Sequence, residues 1–241
     1  MSDTTSHSSL EYPFQRLAAA EMRRRVDTLH RSLQTRRSIR QFSADPVPRA
    51  LMERLIEIAG TAPSGANRQP WQWVLVGRPD LKRHIREAAE AEERRNYEGG
   101  RFPERWLQVL EPLETDWHKP YLETAPWLVA CFRQDYRVRP DGGHENNYYV
   151  HESVGIACGF FIAAVHAAGL VTVPHTPSPM GFLAKLLERP AGETPFILFP
   201  VGYPAEGARV PDITRKELVD ILQHDDGQSM APEEENDDPA S

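Results

Sequence analysis

Arg36-Arg37-Ser38-Ile39-Arg40 sets three guanidiniums within five residues of a chain whose formal net charge is −7. Such a knot repels itself unless an anion lies between its members. Guanidinium is the side chain best fitted to a multidentate grip on phosphate or on an electron-rich ring edge. Standing alone, an RRSxR run reads as a solvated basic turn after a helix. Here its neighbours matter as much as the knot itself.

Upstream, residues 21–33 form a charged helical stretch that leads into the knot. Downstream, Pro48 opens a second helix over 49–59, with Leu51, Leu55, Ile56 and Ile58 as the expected buried stripe. Gly60 ends it, and Thr61-Ala62-Pro63-Ser64-Gly65-Ala66-Asn67 follows, a loop by its breaker residues. Small residues there let backbone N–H groups approach a ligand closely. An ordinary glycine turn has the same composition. Residues 71–76 read as a strand, 79–97 as a helix dense in Glu and Arg, and 127–132 as another strand. The segment 152–168 is apolar nearly all round and stops at Gly169. A helix without a polar face is either central or covered by a partner subunit. His166 and its glycines make it a poor membrane span. Strands at 170–173 and 195–201 complete the pattern, and strands separated by helices predict a layered α/β or α+β domain.

Composition narrows the function classes. At 241 residues the chain suits one domain with insertions. Its acidic balance argues against nucleic acid as a partner. Cys131 and Cys158 lie in apolar runs without metal-knuckle or redox spacing, as packed thiols in a reducing compartment do. The nine histidines show no ligand spacing, so no metal site is expected, and His144 and His151 read as surface residues of a polar loop. G-x-G-x-x-G, P-loop, H-E-x-x-H and G-x-S-x-G fingerprints are absent. Residues 1–12 are expected to be a disordered arm and 225–241 a disordered acidic tail around a domain at 13–224. The first ten residues lack a signal-peptide core, so the chain is expected to be soluble and cytoplasmic, with no membrane association.

An RRSxR knot, a helix, a T-A-P-S-G-A-N loop and an aromatic strand, followed later by Gly169-Leu170-Val171-Thr172-Val173, resemble the FMN-dependent nitroreductase superfamily from about residue 33 to 222. The resemblance implies an α+β fold with a central, mostly antiparallel sheet flanked by helices, built as a domain-intertwined homodimer. It implies that Arg36, Arg37, Ser38, Ile39 and Arg40 hold FMN, with Arg215 returning to its phosphate. Pro63, Ser64 and Gly65 would reach the cofactor from the partner subunit. The apolar helix at 152–168 would then be the dimer core.

The insert between the two tryptophan-led strands, about 90–122, carries Glu92-Glu93-Arg94-Arg95-Asn96-Tyr97, Arg105-Trp106 and Asp116-Trp117-His118-Lys119-Pro120-Tyr121. It resembles the active-site lid of the iodotyrosine deiodinase branch. Glu93 and Tyr97 are four apart, hence on one helix face. Glu93 can pair an ammonium, while Tyr97 and Lys119 can hydrogen-bond a carboxylate. In isolation each is as well explained as an ordinary surface charge. Carried over from the branch, Pro174, His175 and Thr176 pass beside the flavin, and the Thr176 hydroxyl is offered to its N5, a contact linked to one-electron chemistry. The Ala66 N–H would receive the substrate's phenolate oxygen. Three departures stand out: one extra residue between Tyr97 and Trp106, Pro174-His175 in place of hydroxyl residues, and no counterpart of the animal enzymes' N-terminal membrane anchor. The last implies a soluble, microbial version.

The resemblance therefore implies reductive dehalogenation of halotyrosines, with FMN reduced by an NAD(P)H-dependent reductase that can be a separate protein. Two rivals stay open: a generalist NAD(P)H nitroreductase or quinone reductase, and a non-catalytic flavin- or amino-acid-binding protein.

Overall fold

The computed structural model describes residues 9–225. Apart from residues 9–12 and 225, the expected arm and acidic tail fall outside them. Contacts group the chain into one unit up to Val210 and a second from Pro211 onward.

The first unit is built on a sheet of four strands, β1 (Trp71–Val76), β2 (Trp127–Gln134), β5 (Val171–Thr172) and β6 (Glu193–Gly202). Their order is β1-β2-β6-β5 and every neighbouring pair is antiparallel. A short hairpin, β3 (Tyr136–Val138) with β4 (His144–Asn146), follows β2. The helices are α1 (Ala19–Gln34), α2 (Arg49–Gly60), α3 (Pro79–Tyr97), α4 (Glu104–Leu110), α5 (Tyr121–Thr124), α6 (Val150–Ala167) and α7 (Gly181–Leu186). This is the expected α+β architecture.

Period-two alternation on β2 sorts the core into two layers. Val129 and Cys131 pack with Met52, Leu55 and Ala59 of α2 and Val154, Cys158 and Phe161 of α6. Leu128, Ala130 and Phe132 point the other way, to Ile85 and Ala89 of α3, Leu122 of α5 and Leu183 of α7. A strand covered on both faces must be apolar at successive positions, which is why residues 128–132 read as an unbroken run.

Three sequence expectations change. The buried stripe of α2 is Met52, Leu55 and Ala59, while Ile58 is 41% exposed. The helix is rotated so that the 52/55/59 row faces the core it shares with α6 and β2. The expected polar loop around His144 is the β3–β4 hairpin, with His144 stacked on Tyr136 at 4.0 Å. His151 lies in the first turn of α6, not in a loop.

α6 is long and apolar enough by composition to cross a bilayer. Its Ser153, Val154, Ala157, Cys158, Phe161, Ala164 and Val165 are nevertheless buried against the sheet and α2. It is a core helix whose outward side leaves Ile156 and Phe160 about two-fifths exposed.

Candidate active site

The arginine knot lies along the sheet's β5 edge. Ser38 bridges Thr172 in parallel, and the Ile39 N–H donates to the Thr172 carbonyl at 3.2 Å. Further on, Phe42 bridges Pro204, and the Ser43 N–H donates to the Tyr203 carbonyl at 2.9 Å. These bonds extend the sheet by one irregular strand and lay residues 36–40 beside 171–176. Ile39 is turned inward and buried, while Arg36, Arg37, Ser38 and Arg40 are half-buried. Arg36 and Arg37 border a cavity of about 270 Å³ together with Thr35, Thr172 and His166. The buried Thr172 Oγ1 finds no hydrogen-bond partner among the described residues.

The lid residues converge at the other end of this strip. α3 begins at Pro79, which suits a first helical position because its missing N–H has no partner there anyway. Its inward row runs Lys82, Ile85, Ala89, Glu93, Asn96, so the stripe is apolar in the middle and polar at its C-terminal end. Glu93 (8% exposed) meets Lys119 (3% exposed) with an oxygen–nitrogen distance of 3.4 Å. The Lys119 ammonium sits 5.4 Å from the centre of the Tyr97 ring. It donates to Thr115 Oγ1 at 3.3 Å and to the Asp116 carbonyl. Its own backbone N–H donates to Glu90 Oε1 at 2.8 Å. Burial holds the Lys119 pKa below the ordinary lysine value, and Glu93 opposes that shift.

Tyr121 and His175 complete the cluster. The Tyr121 hydroxyl is 3.3 Å from His175 Nδ1, with the two rings nearly perpendicular. Burial, reinforced by the charges of Lys119 and Arg40, lowers His175 to about 3, so its imidazole is neutral. Burial likewise raises the Tyr97 and Tyr121 phenols. The Arg40 charge is felt at Tyr97, Lys119, Tyr121 and His175 alike. One end of the arginine knot and the lid thus share a single electrostatic site.

Pro174 and Thr176 are exposed and His175 is buried, an alternation set where the His175 N–H donates to the Leu198 carbonyl (2.8 Å) and the Leu198 N–H returns to that of His175 (3.0 Å). The Pro63–Ala66 loop is anchored elsewhere, at the N-terminal end of α6. Its Gly65 N–H donates to Ser153 Oγ at 3.3 Å, and a Cβ at Gly65 would come within 2.9 Å of the Tyr149 ring. Ala66 adopts φ 49° and Asn67 φ 52°, left-handed values, and both residues are exposed. The turn's own bonds are Asn67 N–H to Ser64 carbonyl and Arg68 N–H to Gly65 carbonyl, both 3.0 Å. Arg215 lies in the second unit.

A larger groove of about 590 Å³ runs along the outer side of α3, between Arg94, Glu98 and Trp117. Its lining is mostly exposed side chains. Buried and perturbed groups, the usual mark of a functional site, gather at Glu93–Lys119 instead.

The Nitroreductase family model matches residues 33–203. An iodotyrosine deiodinase from Haliscomenobacter hydrossis is 55% identical over 187 residues, 78% of this chain and 84% of the relative. This chain belongs to the nitroreductase family, in its iodotyrosine deiodinase branch. The deiodinase of Rattus norvegicus is 46% identical over 216 residues, 89% of this chain and 74% of the relative. A crystal structure of oxidised iodotyrosine deiodinase bound to FMN and 3-iodo-L-tyrosine superposes with a TM-score of 0.70. It is 30% identical, across 79% of this chain and 96% of that one.

The structure brings Arg40, Glu93, Tyr97, Lys119 and His175 into one neighbourhood. Asn96, Tyr121 and Ser178 join them without having been singled out. Asn96 carried a signal, since it follows Glu93 by three on the same helix face. Tyr121 and Ser178 carried none.

Proposed function

We propose that this protein is an FMN-dependent enzyme that reductively removes halogen from halogenated tyrosines, giving tyrosine and halide. The carrying observation is the buried Glu93–Lys119 pair over Tyr97. One anion and one cation, 3.4 Å apart and shielded from water, form a receptor for the carboxylate and ammonium of a free amino acid. A nitroarene or quinone has no use for it.

The residues fit the cofactor. Arg36 and Arg37, bordering one cavity with a Thr172 hydroxyl that has no partner among the described residues, suit a phosphate, and Arg40 near the lid suits a polar ring edge. Arg36, Arg37, Ser38, Ile39, Arg40, Pro174, His175 and Thr176 would hold FMN, with Pro63, Ser64 and Gly65 supplied by a second subunit. When bound, FMN supplies the two electrons that, with one proton to the ring carbon, replace the carbon–halogen bond by carbon–hydrogen.

The chain's own work is binding and orientation. Glu93 receives the ammonium, while Lys119 and Tyr97 receive the carboxylate, so the lid exchanges an internal ion pair for two external ones. Water exclusion around these groups strengthens each contact. The Ala66 N–H donates to the phenolate oxygen, which favours protonation at the halogen-bearing carbon by holding the ring oxygen in its keto form. The exposed Thr176 hydroxyl stands ready as a donor on the cofactor side.

The site also needs a partner copy. Met22, Val26 and Leu29 of α1 and Ile156 and Phe160 of α6 form exposed apolar rows, and α1 has no buried residue. A homodimer covers them and brings the Ala66 loop of one subunit to the lid of the other. Electrons come from NAD(P)H through a separate flavin reductase. Free, buried Cys131 and Cys158 suit a soluble protein of the reducing cytoplasm.

The deciding experiment is anaerobic. FMN-loaded protein is reduced chemically, 3-iodotyrosine is added, and flavin reoxidation and iodide release are followed together. Stoichiometric iodide with reoxidation is expected. Reoxidation by a nitroarene but not by iodotyrosine would establish the generalist reductase, and binding without iodide release the non-catalytic reading.

A further inference from the structure

Arg68 is the half-buried member of an otherwise exposed turn, and its partners lie far along the chain. Ala66, Asn67 and Gln69 around it are exposed, with left-handed φ of 49°, 52° and 49°. Such backbone is strained for most residues with a Cβ, and it persists only where the surroundings over-determine it. Within the turn, Gly65 donates its N–H to Ser153 Oγ, Asn67 to the Ser64 carbonyl, Arg68 to the Gly65 carbonyl and Gln69 to Ser64 Oγ. The Ala66 N–H stands between them, and no group among the described residues accepts from it.

Two clamps flank that N–H. On one side Ser153, buried at the start of α6, takes the Gly65 bond and passes its own hydroxyl proton to the Tyr149 carbonyl at 2.6 Å. On the other side Arg68 Nε donates to Asn147 Oδ1 at 3.0 Å. Its buried Nη2 lies 3.0 Å from Glu145 Oε1, an ion pair without hydrogen-bond alignment. The Arg68 carbonyl accepts from Arg137 Nη2. Arg137 and Glu145 face each other across the β3–β4 hairpin. The hairpin is rooted in turn on the main sheet. Asn147 donates its N–H to the Asp135 carbonyl (2.9 Å) and Nδ2 to the Gln134 carbonyl (2.8 Å). The Asp135 N–H donates to the Gly192 carbonyl at 3.0 Å, and its carboxylate accepts from the Thr194 hydroxyl at 2.9 Å.

We propose, on the dehalogenase reading above, that Arg68, held by Asn147 and the β3–β4 hairpin, is a positioning residue that fixes the Ala66 N–H for the substrate's phenol oxygen. It thereby sets how strongly the site prefers a phenol to a ring without oxygen.

The transmission runs through one peptide plane. The Ala66 N–H and the Gly65 carbonyl belong to the same planar trans unit and point opposite ways. The Arg68 N–H holds that carbonyl at 3.0 Å, so a shift of Arg68 swings the N–H of Ala66. Glycine at 65 offers little resistance of its own, because both signs of φ are open to it. Hydrogen bonds weaken steeply as they bend, so a modest swing removes most of the contact. Arginine suits the task because its planar fork can face two partners at once, whereas an ammonium is a point charge. Glu145 beside the guanidinium offsets its charge, which leaves alignment rather than long-range attraction as its contribution.

The test uses oxidised FMN-loaded protein, in which no turnover occurs. It is titrated with 3-iodotyrosine and with 3-iodophenylalanine, which keeps the zwitterion and the iodine and lacks the phenol oxygen. Flavin fluorescence reads both dissociation constants. The wild type is expected to favour 3-iodotyrosine by about 10- to 150-fold, the worth of a charge-assisted hydrogen bond. Arg68→Met should cut that preference by at least about fivefold while moving the 3-iodophenylalanine constant by less than about threefold. Arg68→Lys keeps the charge and loses the fork, so it should stay at least about threefold below the wild-type preference. Asn147→Ala added to Arg68→Met should lower the preference by no more than about twofold further, because both changes break one clamp.

An unchanged preference in Arg68→Met overturns the proposal. Equal losses for the two ligands, or loss of flavin, also overturn it, because a merely structural role produces those. Full recovery in Arg68→Lys does the same by showing that charge acts and alignment does not. If Arg68→Met does not fold, Arg137→Met decides instead, since that exposed side chain holds the Arg68 carbonyl and the same fall in preference is expected. A wild type that binds both ligands equally well removes the Ala66 contact and the proposal with it, and leaves iodide release as the measure of the dehalogenase reading. A wild type that binds neither ligand sinks that reading itself.

Discussion

Neutralising Glu93 and Lys119 separately and together should pull stability and substrate affinity apart. At 3.4 Å the pair's gross attraction is about 5 kcal/mol for an effective dielectric of about 20, most of it offset by the cost of taking both charges out of water. Removing one partner leaves the other buried and uncompensated, which costs about 3–5 kcal/mol. Glu93→Gln and Lys119→Met should each show a loss of that order in urea unfolding of the FMN-loaded protein. The double variant should recover most of it, because no charge is then stranded. Affinity for 3-iodotyrosine should behave differently. Each single variant leaves one charge of the zwitterion unmatched, a loss of about 2–5 kcal/mol, or roughly 30- to several-thousand-fold in dissociation constant. The double variant should bind no better than the weaker single one, while still retaining flavin. Fluorescence titration of the bound flavin reads affinity directly. If affinity returned along with stability, or if a single variant bound 3-iodotyrosine like the wild type, the ion-pair exchange would be wrong.

Arg36→Ala or Arg37→Ala should weaken FMN binding about 10- to 150-fold, the worth of a charge-assisted hydrogen bond of about 1.5–3 kcal/mol, seen as substoichiometric flavin after dialysis. Ala66→Gly should stabilise the protein by about 1 kcal/mol in urea unfolding, since a left-handed alanine is strained by about 1–2 kcal/mol and the N–H is kept. His175 has a folded-state pKa lowered from 6.5 to about 3, so its contribution is present above pH 6.5 and is lost as pH falls toward 3. Between pH 7 and pH 5 the wild type should lose about 2 kcal/mol more than His175→Gln, at about 1.4 kcal/mol per unit of proton linkage. Equal losses in the two proteins would show that the imidazole is not held neutral. Ile156→Asp should shift the sedimentation of the FMN-loaded protein from dimer toward monomer and release flavin with it. A monomeric protein that kept its FMN would refute the shared site.

Local signals were strong where one physical rule governed. β1 and α3 begin and end where alternation, Pro79 and the Gly-rich flanks say they should. α2 shows the limit of such rules. Leu51, Ile56 and Ile58 are as apolar as Leu55, and only the packing of α2 against α6 over the shared core selected the row Met52, Leu55, Ala59. The hairpin at 136–146 was read as a loop because its strands are three residues long and mostly exposed, so no burial pattern marks them.

The site divides the same way. Arg36-Arg37-Ser38-Ile39-Arg40 and Glu93, Tyr97 and Lys119 stood out through the family resemblance of the stretches that carry them, since in isolation each is as well explained as an ordinary surface residue. The contact between Tyr121 and His175 did not, because 54 positions of sequence separate them and nothing singles out Tyr121 by itself. The sequence by itself determined which charges this protein concentrates and which helix face carries them. Only the tertiary structure decided that Arg40 and Lys119 bear on one histidine, that Glu93 and Lys119 meet in the dry interior, and that Asn96 reaches Ser178. Charge and periodicity are properties of neighbours along a chain. Burial and its effect on a charge depend on what the fold stacks above it, and for these residues that comes from α3, the α5 stem and β6.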